Sequence, residues 1–114
     1  MDREKVCAAG VDYDEGVRRF AGKSQIYEKY LLKLFEGHLM EDLQRELEAK
    51  DYEGAFRTAH DLKGTSGNLS VNMFYNKVCE LVEILRGNVV DGDPMAAFNE
   101  AMRLYELAEQ AVRE

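Results

Sequence analysis

Apolar side chains recur every three or four residues along most of the chain, and this helical period constrains the fold more than any other feature. No run of strand length alternates apolar and polar residues. A chain of 114 residues, 46% hydrophobic and 32% charged, is long enough for one core and has the composition of an ordered helical protein. We therefore predict an all-α fold in a single domain over residues 1–114.

Capping residues mark the ends of the helices. Asp51 precedes one apolar stripe, Asp93-Pro94 places a cap and a first-turn proline before the last stripe, and Gly87-Asn88 ends the stripe between them. Short connections between long helices favour antiparallel neighbours, so the pattern predicts an antiparallel up-down four-helix bundle with an additional short N-terminal helix across one end. The predicted helices are a short one over about 13–21 and bundle helices over about 25–50, 52–68, 72–86 and 94–113.

Charge and composition exclude several kinds of partner. The net charge of −7 disfavours nucleic acid, whose phosphates a binding protein must neutralise. No stretch approaches the roughly 18 apolar residues of a membrane span, and the first residues lack the apolar segment of a secretory leader. Cys7 and Cys79 lack the spacing of a structural metal site. We expect a cytoplasmic monomer that binds no metal, nucleic acid or membrane.

The third predicted helix contains a histidine on its outer face. The mostly apolar residues that should face the core recur along this helix at four-, three-, four- and three-residue steps and form its inward stripe. At about 100° per residue, His60 lies roughly 150° from the centre of that stripe and should face solvent. The stripe consists of Ala55, Ala59, Leu62, Ser66 and Leu69.

Three neighbours share the face of His60. Lys63, Gly64 and Gly67 lie three, four and seven residues further along the helix. An interior helix glycine costs about 1 kcal/mol relative to alanine, so two of them beside one histidine indicate that open space is needed there. Lys63 would add positive charge at the same place. An isolated exposed histidine is ordinarily a solvated surface residue, and it is this alignment that favours a function for His60.

These residues carry a resemblance to a known family. The run His60-Asp61-Leu62-Lys63-Gly64, followed by Ser66, Asn68 and Leu69, resembles the signature of histidine-containing phosphotransfer (HPt) domains of two-component phosphorelays. The resemblance covers about residues 10–110. It implies that His60 accepts the phosphoryl group, that Lys63 assists electrostatically, and that Gly64 leaves room for a receiver domain. Gly67, on the same face, is predicted from its position to leave room for the partner as well.

The resemblance also implies the partners. They are response-regulator receiver domains and an upstream histidine kinase, and the receiver brings the Mg²⁺, so this chain needs no cofactor of its own. One residue departs from the family pattern: Ser70 stands where the family usually has glycine. Either the backbone there is left-handed, at a cost of roughly 1–2 kcal/mol for serine, or Ser70 caps the following helix.

Three functions are compatible with the sequence. The first is a phosphorelay intermediate that receives a phosphoryl group from a receiver aspartate or a kinase and passes it to another receiver aspartate. The second is the phospho-accepting module of a chemotaxis-type histidine kinase, and the third is a helical docking protein without phosphotransfer. The chain has no Walker loop, so we expect no autonomous kinase activity, and whether it is itself an enzyme stays open.

Phe56 lies one turn before His60, where an amphipathic helix would normally place a polar residue. A large apolar group at this position needs a cover. Either the first predicted helix supplies it through Val17 and Phe20, or the ring is partly exposed and forms the apolar part of a docking site for the partner.

Overall fold

The computed structural model describes residues 1–87 and 92–114, and within them the chain forms seven helices and no strand. No helix in these two ranges is both long and apolar enough to cross a membrane. The helices are α1 (Arg3–Ala8), α2 (Tyr13–Arg19), α3 (Ser24–Glu36), α4 (Leu39–Glu48), α5 (Tyr52–Asn68), α6 (Asn72–Arg86) and α7 (Pro94–Arg113).

The bundle consists of four helical segments. Helices α3 and α4 together form the first segment, and α5, α6 and α7 form the other three. The most extensive packing joins α5 to α6, α6 to α7, and α4 to α5. Each helix presents one apolar face to a shared core. The all-α, antiparallel up-down prediction is confirmed. The largest fully buried side chains include Tyr27, Leu31, Leu43, Leu62, Phe74 and Leu81.

The predicted capping residues lie at the expected ends of the bundle helices, Asp51 and Asp93 at the start of α5 and α7 and Gly87 at the end of α6. The Asp51 carboxylate accepts a hydrogen bond from the Gly54 N–H at 3.0 Å, and Asp93 accepts one from the Met95 N–H at 3.0 Å. Gly87 ends α6 in the left-handed conformation, with φ of +87°. The predicted ranges 52–68, 72–86 and 94–113 therefore match α5, α6 and α7. The loop predicted after Gly87 falls largely on residues 88–91, which lie outside the described residues.

The single long helix predicted over 25–50 is wrong, because the chain breaks between α3 and α4 at Gly37 and His38. Glycine weakens a helix interior. The last carbonyls of a helix that ends at Glu36 have no partner within the helix. The Tyr105 hydroxyl of α7 donates to one of them, the Leu34 carbonyl, at 3.2 Å. A contact with a distant helix thus stabilises the break.

The N-terminal segment forms two short helices rather than the one that was predicted. Asp2 caps α1, accepting from the Glu4 and Lys5 N–H groups, and Val6 is fully buried. Arg3 forms a salt bridge with Asp14 of α2, which lowers the pKa of that carboxyl group. The helix predicted over 13–21 corresponds to α2 and ends two residues earlier.

Ser70 connects α5 to α6 in a left-handed conformation, with φ of +57°. Of the two predicted alternatives, the left-handed backbone is therefore confirmed, and Val71 rather than Ser70 occupies the cap position of α6. The fully buried Ser70 hydroxyl donates to the Glu15 carboxylate at 2.8 Å, and its carbonyl accepts from the Asp12 N–H at 2.9 Å. These two bonds fasten α2 to the α5–α6 junction.

Two substitutions of Ser70 distinguish the contribution of backbone strain to the unfolding free energy from the contribution of the hydrogen bond. Ser70→Ala should lose roughly 1–2 kcal/mol of unfolding free energy, because the bond to Glu15 is removed and the left-handed backbone stays. Ser70→Gly loses the same bond but relieves the strain, so it should be more stable than Ser70→Ala by about 1 kcal/mol. Urea unfolding measures both. A glycine variant no more stable than the alanine variant would contradict the strain at this position.

Candidate functional site

The predicted functional histidine lies in the middle of α5, on its solvent side. Ala55, Ala59, Leu62 and Ser66 are buried against the bundle, and His60 on the opposite side is exposed. The Ser66 hydroxyl donates to the Leu62 carbonyl at 2.6 Å, so this serine is satisfied within the core. The predicted outward orientation of His60 is confirmed.

A cleft of about 370 Å³ opens beside His60 and is lined mostly by polar side chains. Three helices contribute to this polar cleft. Helix α5 provides the floor, α6 provides one wall and α2 provides a single arginine. The structure therefore brings the predicted set of Lys63, Gly64 and Gly67 together with His60, and adds residues that the sequence reasoning missed. The complete lining is Arg19, His60, Lys63, Gly64, Gly67, Asn68, Asn72 and Tyr75.

The two glycines of the polar cleft differ in their surroundings. A Cβ atom added at Gly64 would meet no neighbouring atom within 4 Å in the described parts of the chain, so space above this position is open. A Cβ atom at Gly67 would lie 3.0 Å from Cε2 of Tyr75. The open space predicted at both positions is thus confirmed at Gly64, whereas at Gly67 the α6 tyrosine occupies it.

Lys63 is half-buried beside His60 and forms no salt bridge with any residue in the two described ranges. Its ammonium charge is therefore available to an anion in the polar cleft. In an electrostatic site of this kind, a fixed cation near the reacting atom stabilises negative charge that is held or developed there.

Phe56 lies on the other side of His60, in a second cleft of about 420 Å³ that also includes Arg57, Asp61 and Arg86. The Phe56 and His60 rings are 6.1 Å apart, centroid to centroid, and the Arg86 guanidinium lies 5.1 Å from the Phe56 ring centre. That separation is within the range of a cation–π contact. The half-buried ring is thus covered in part by α6, and this Phe56 cleft gives His60 an apolar border.

The predicted cover from Val17 and Phe20 receives no support from the ring contacts. Phe20 packs with Tyr27 and Tyr30, each at 5.6 Å between centroids, on the α3 side of the bundle. The cover seen over Phe56 is instead Arg86. The docking role predicted for Phe56 remains a prediction.

The other histidine has different surroundings. His38 lies at the break between α3 and α4, where its Nδ1 is 3.7 Å from the Glu41 carboxylate and its side chain is 81% exposed. It is more exposed than the partly covered position that the sequence suggested. Neither of the clefts at His60 includes it. His38 therefore serves as a natural control for His60.

Arg19, Asn72, Tyr75 and Arg86 were missed because they reach His60 from other helices. Spacing along α5 identifies only residues of α5 itself. Nothing in the sequence around Arg19 shows that its side chain would line a cleft with His60. Only the packing of α2 on the α5–α6 junction brings it there.

Fold and site together define a helical-bundle protein of the histidine phosphotransfer class, with its exposed histidine on one helix of the bundle. Among family models, the Hpt domain matches residues 37–113, about two thirds of the sequence, and the chain belongs to the Hpt domain family. Comparison with curated proteins and with solved structures gave no significant match. The matched segment begins at the break before α4, so α1, α2 and α3 precede it.

The two glycines of the cleft should respond differently to alanine. Gly64→Ala should raise the unfolding free energy by about 1 kcal/mol, because the helix penalty of glycine is removed and nothing obstructs the new methyl group. Gly67→Ala should gain less or lose stability, because the Tyr75 ring must move. Thermal and urea unfolding of both variants test this difference. Equal gains at the two positions would show that Tyr75 does not constrain Gly67.

Proposed function

We propose that this protein is a phosphorelay intermediate that accepts a phosphoryl group on His60 and passes it to an aspartate of a receiver domain. Family membership implies histidine phosphotransfer in a phosphorelay. The observation that carries the assignment to His60 is its exposure beside Lys63 and above the open space at Gly64. The other histidine, His38, lies at the break before α4 beside Glu41 and outside both clefts.

The chemistry needs one nucleophile and an accessible surface. A nitrogen lone pair of the neutral His60 imidazole attacks the phosphorus of an aspartyl phosphate or another phosphoryl donor. The N–P bond forms, the bond from phosphorus to the donor oxygen breaks, and the carboxylate leaves. Transfer to the next receiver is the same step reversed. Lys63 stabilises charge on the phosphoryl oxygens, and the absence of a side chain at Gly64 lets the partner's active site approach.

In this proposal the partners supply what His60 lacks. A receiver domain brings the aspartate and the Mg²⁺, and an upstream histidine kinase feeds the relay. The chain itself therefore acts without a cofactor. The Phe56 cleft supports docking at this face, because a half-buried aromatic ring next to the reacting histidine is typical of an interface anchor.

His60→Gln tests the proposed phospho-acceptor. The variant should accept no acid-labile phosphoryl group from a panel of phosphorylated receivers, while its helicity and thermal midpoint stay unchanged, because His60 is exposed. Radiolabel transfer followed by mapping of the labelled residue measures this. His38→Gln is the matched control and should be labelled like the unaltered protein. Labelling that survives in His60→Gln and is lost in His38→Gln would overturn the assignment.

Phe56→Ala tests the docking role. The ring is only half-buried, so the loss of unfolding free energy should fall below the roughly 3–5 kcal/mol of a fully buried phenylalanine. Receiver affinity should fall by about tenfold, as for an interface anchor. Titration calorimetry with a receiver that accepts from His60 gives the affinity. Leu107→Ala, an exposed apolar residue on α7, is the control. A large stability loss with unchanged affinity would assign Phe56 to packing alone.

A further inference from the structure

Arg19 is the one residue of the polar cleft that comes from the N-terminal helices. It is the last residue of α2 and lies outside the segment that matches the Hpt domain. The transfer step described above makes no use of it. Yet the same cleft is lined by Arg19, Lys63 and His60, so two cations of different shape flank the proposed site of phosphorylation.

Arg19 is positioned by a chain of contacts that starts in the core. The buried Ser70 hydroxyl donates to Oε1 of Glu15 at 2.8 Å, and the same oxygen lies 3.7 Å from Nε of Arg19. The Ser70 carbonyl also holds the Asp12 N–H. The N-terminal half of α2 is therefore fixed on the α5–α6 junction. The side chain of its last residue, Arg19, is half exposed and lines the polar cleft.

The guanidinium also acts on the opposite wall of the cleft. A side-chain hydrogen bond with Cys79 raises the pKa of the Tyr75 phenol, and the positive charge of Arg19 opposes that rise. Tyr75 in turn packs on Gly67 of α5. Because Arg19, Gly67 and Tyr75 line the same cleft, a group bound between them would lie beside the guanidinium.

The remaining donors of Arg19 suit a phosphoryl group. At 3.7 Å, the approach to Glu15 is an ion pair longer than a normal hydrogen bond, so the N–H groups of the guanidinium are not consumed by it. A guanidinium presents five N–H donors in a planar fork that matches two phosphate oxygens, whereas lysine offers a point charge. A phosphoryl group carries close to two negative charges and three acceptor oxygens.

We propose that Arg19 binds the phosphoryl group carried on His60, opposite Lys63, so that α2 forms part of the phosphoryl site. The inference rests on the proposed function. Arg19 stabilises the phosphohistidine by donating hydrogen bonds to its oxygens. Helix α2 thereby sets how long the phosphoryl group stays on His60 before a receiver takes it.

Chemical phosphorylation of the full chain tests this without a partner protein. Phosphoramidate is the probe: a nitrogen of the His60 imidazole forms the N–P bond, and ammonia leaves with the proton that the ring releases. Two quantities are then measured, namely the NMR shift of the Arg19 Nε–H group on phosphorylation and the half-life of the phosphohistidine. Arg19→Gln removes the charge, Arg19→Lys keeps it without the fork, and Arg18→Gln alters the neighbouring exposed arginine as a control.

The Arg19 Nε–H signal should shift on phosphorylation while that of Arg18 stays in place. Arg19→Gln should shorten the phosphohistidine half-life roughly three- to tenfold, as expected for loss of one charge-assisted contact at a solvated site. Arg19→Lys should recover part of the loss, and Arg18→Gln should match the unaltered protein. Unchanged helicity and thermal midpoint of Arg19→Gln assign the effect to the site rather than to the fold.

Two negative outcomes have different meanings. If His60 is phosphorylated but the Arg19 signal does not move and Arg19→Gln decays like Arg18→Gln, the inference about Arg19 is wrong and the proposed function stands. If phosphoramidate and phosphorylated receivers leave His60 unmodified in the unaltered protein, the proposed function fails, and the inference about Arg19 fails with it.

Discussion

The orientation of α5 in the bundle is the constraint on which the site depends. Ala55, Ala59, Leu62 and Ser66 are almost completely buried, and the small side chains of the two alanines and the serine let α5 pack against both α4 and α6. Rotating the helix by one residue would carry the polar His60 side chain toward the core and bring these buried groups into water. Both changes are costly. A buried stripe on one side of α5 therefore holds the proposed phospho-acceptor, His60, in solvent on the other.

The junction between α5 and α6 extends this control to the N-terminal helices. The Tyr27 hydroxyl of α3 donates to the Leu69 carbonyl at 2.7 Å, directly before Ser70 and its bonds to α2. Gly16 of α2 lies so close to the Tyr27 ring that a Cβ atom there would be 2.2 Å from Cζ. Buried polar groups need such partners, since an unsatisfied one costs about 1–3 kcal/mol. The same connection that completes the fold thus places Arg19 at the cleft.

The elements that sequence predicted well are those whose ends are determined locally. Asp51, Gly87 and Asp93 cap their helices through groups two to four residues away, so α5, α6 and α7 were located correctly. The break at Gly37 was missed because its stabilising hydrogen bond comes from Tyr105, 71 residues from Leu34. Helix α1 was missed although Asp2 carries a capping signal, because six residues give too short an apolar pattern to identify a helix.

The residues of the candidate site likewise fall into a group that local sequence predicts and a group that depends on tertiary packing. His60, Lys63 and Gly64 share one face of a single helix, so spacing alone placed them together. Their partners on α2 and α6 depended on tertiary packing, and so did the occupation of the space at Gly67 by Tyr75. Taken together, the residues of α5 and those of the other helices determine the charge around His60. Although the chain carries a net charge of −7, the charged side chains that line the clefts at His60 are four cations, Arg19, Lys63, Arg57 and Arg86, and one anion, Asp61.

These four cations are not equally available to an anion. Arg57 is paired with Glu53 and Arg86 with Glu83 on their own helices, and Arg19 is loosely paired with Glu15, whereas Lys63 has no ion pair within residues 1–87 and 92–114. Each pairing is solvated and therefore weak. A dianionic group on His60 would thus meet one unpaired cation and three weakly paired ones, with Asp61 also nearby, and these cations would neutralise it only in part. Such a balance suits a carrier, because a site that bound the phosphoryl group more tightly would hold it against the next receiver.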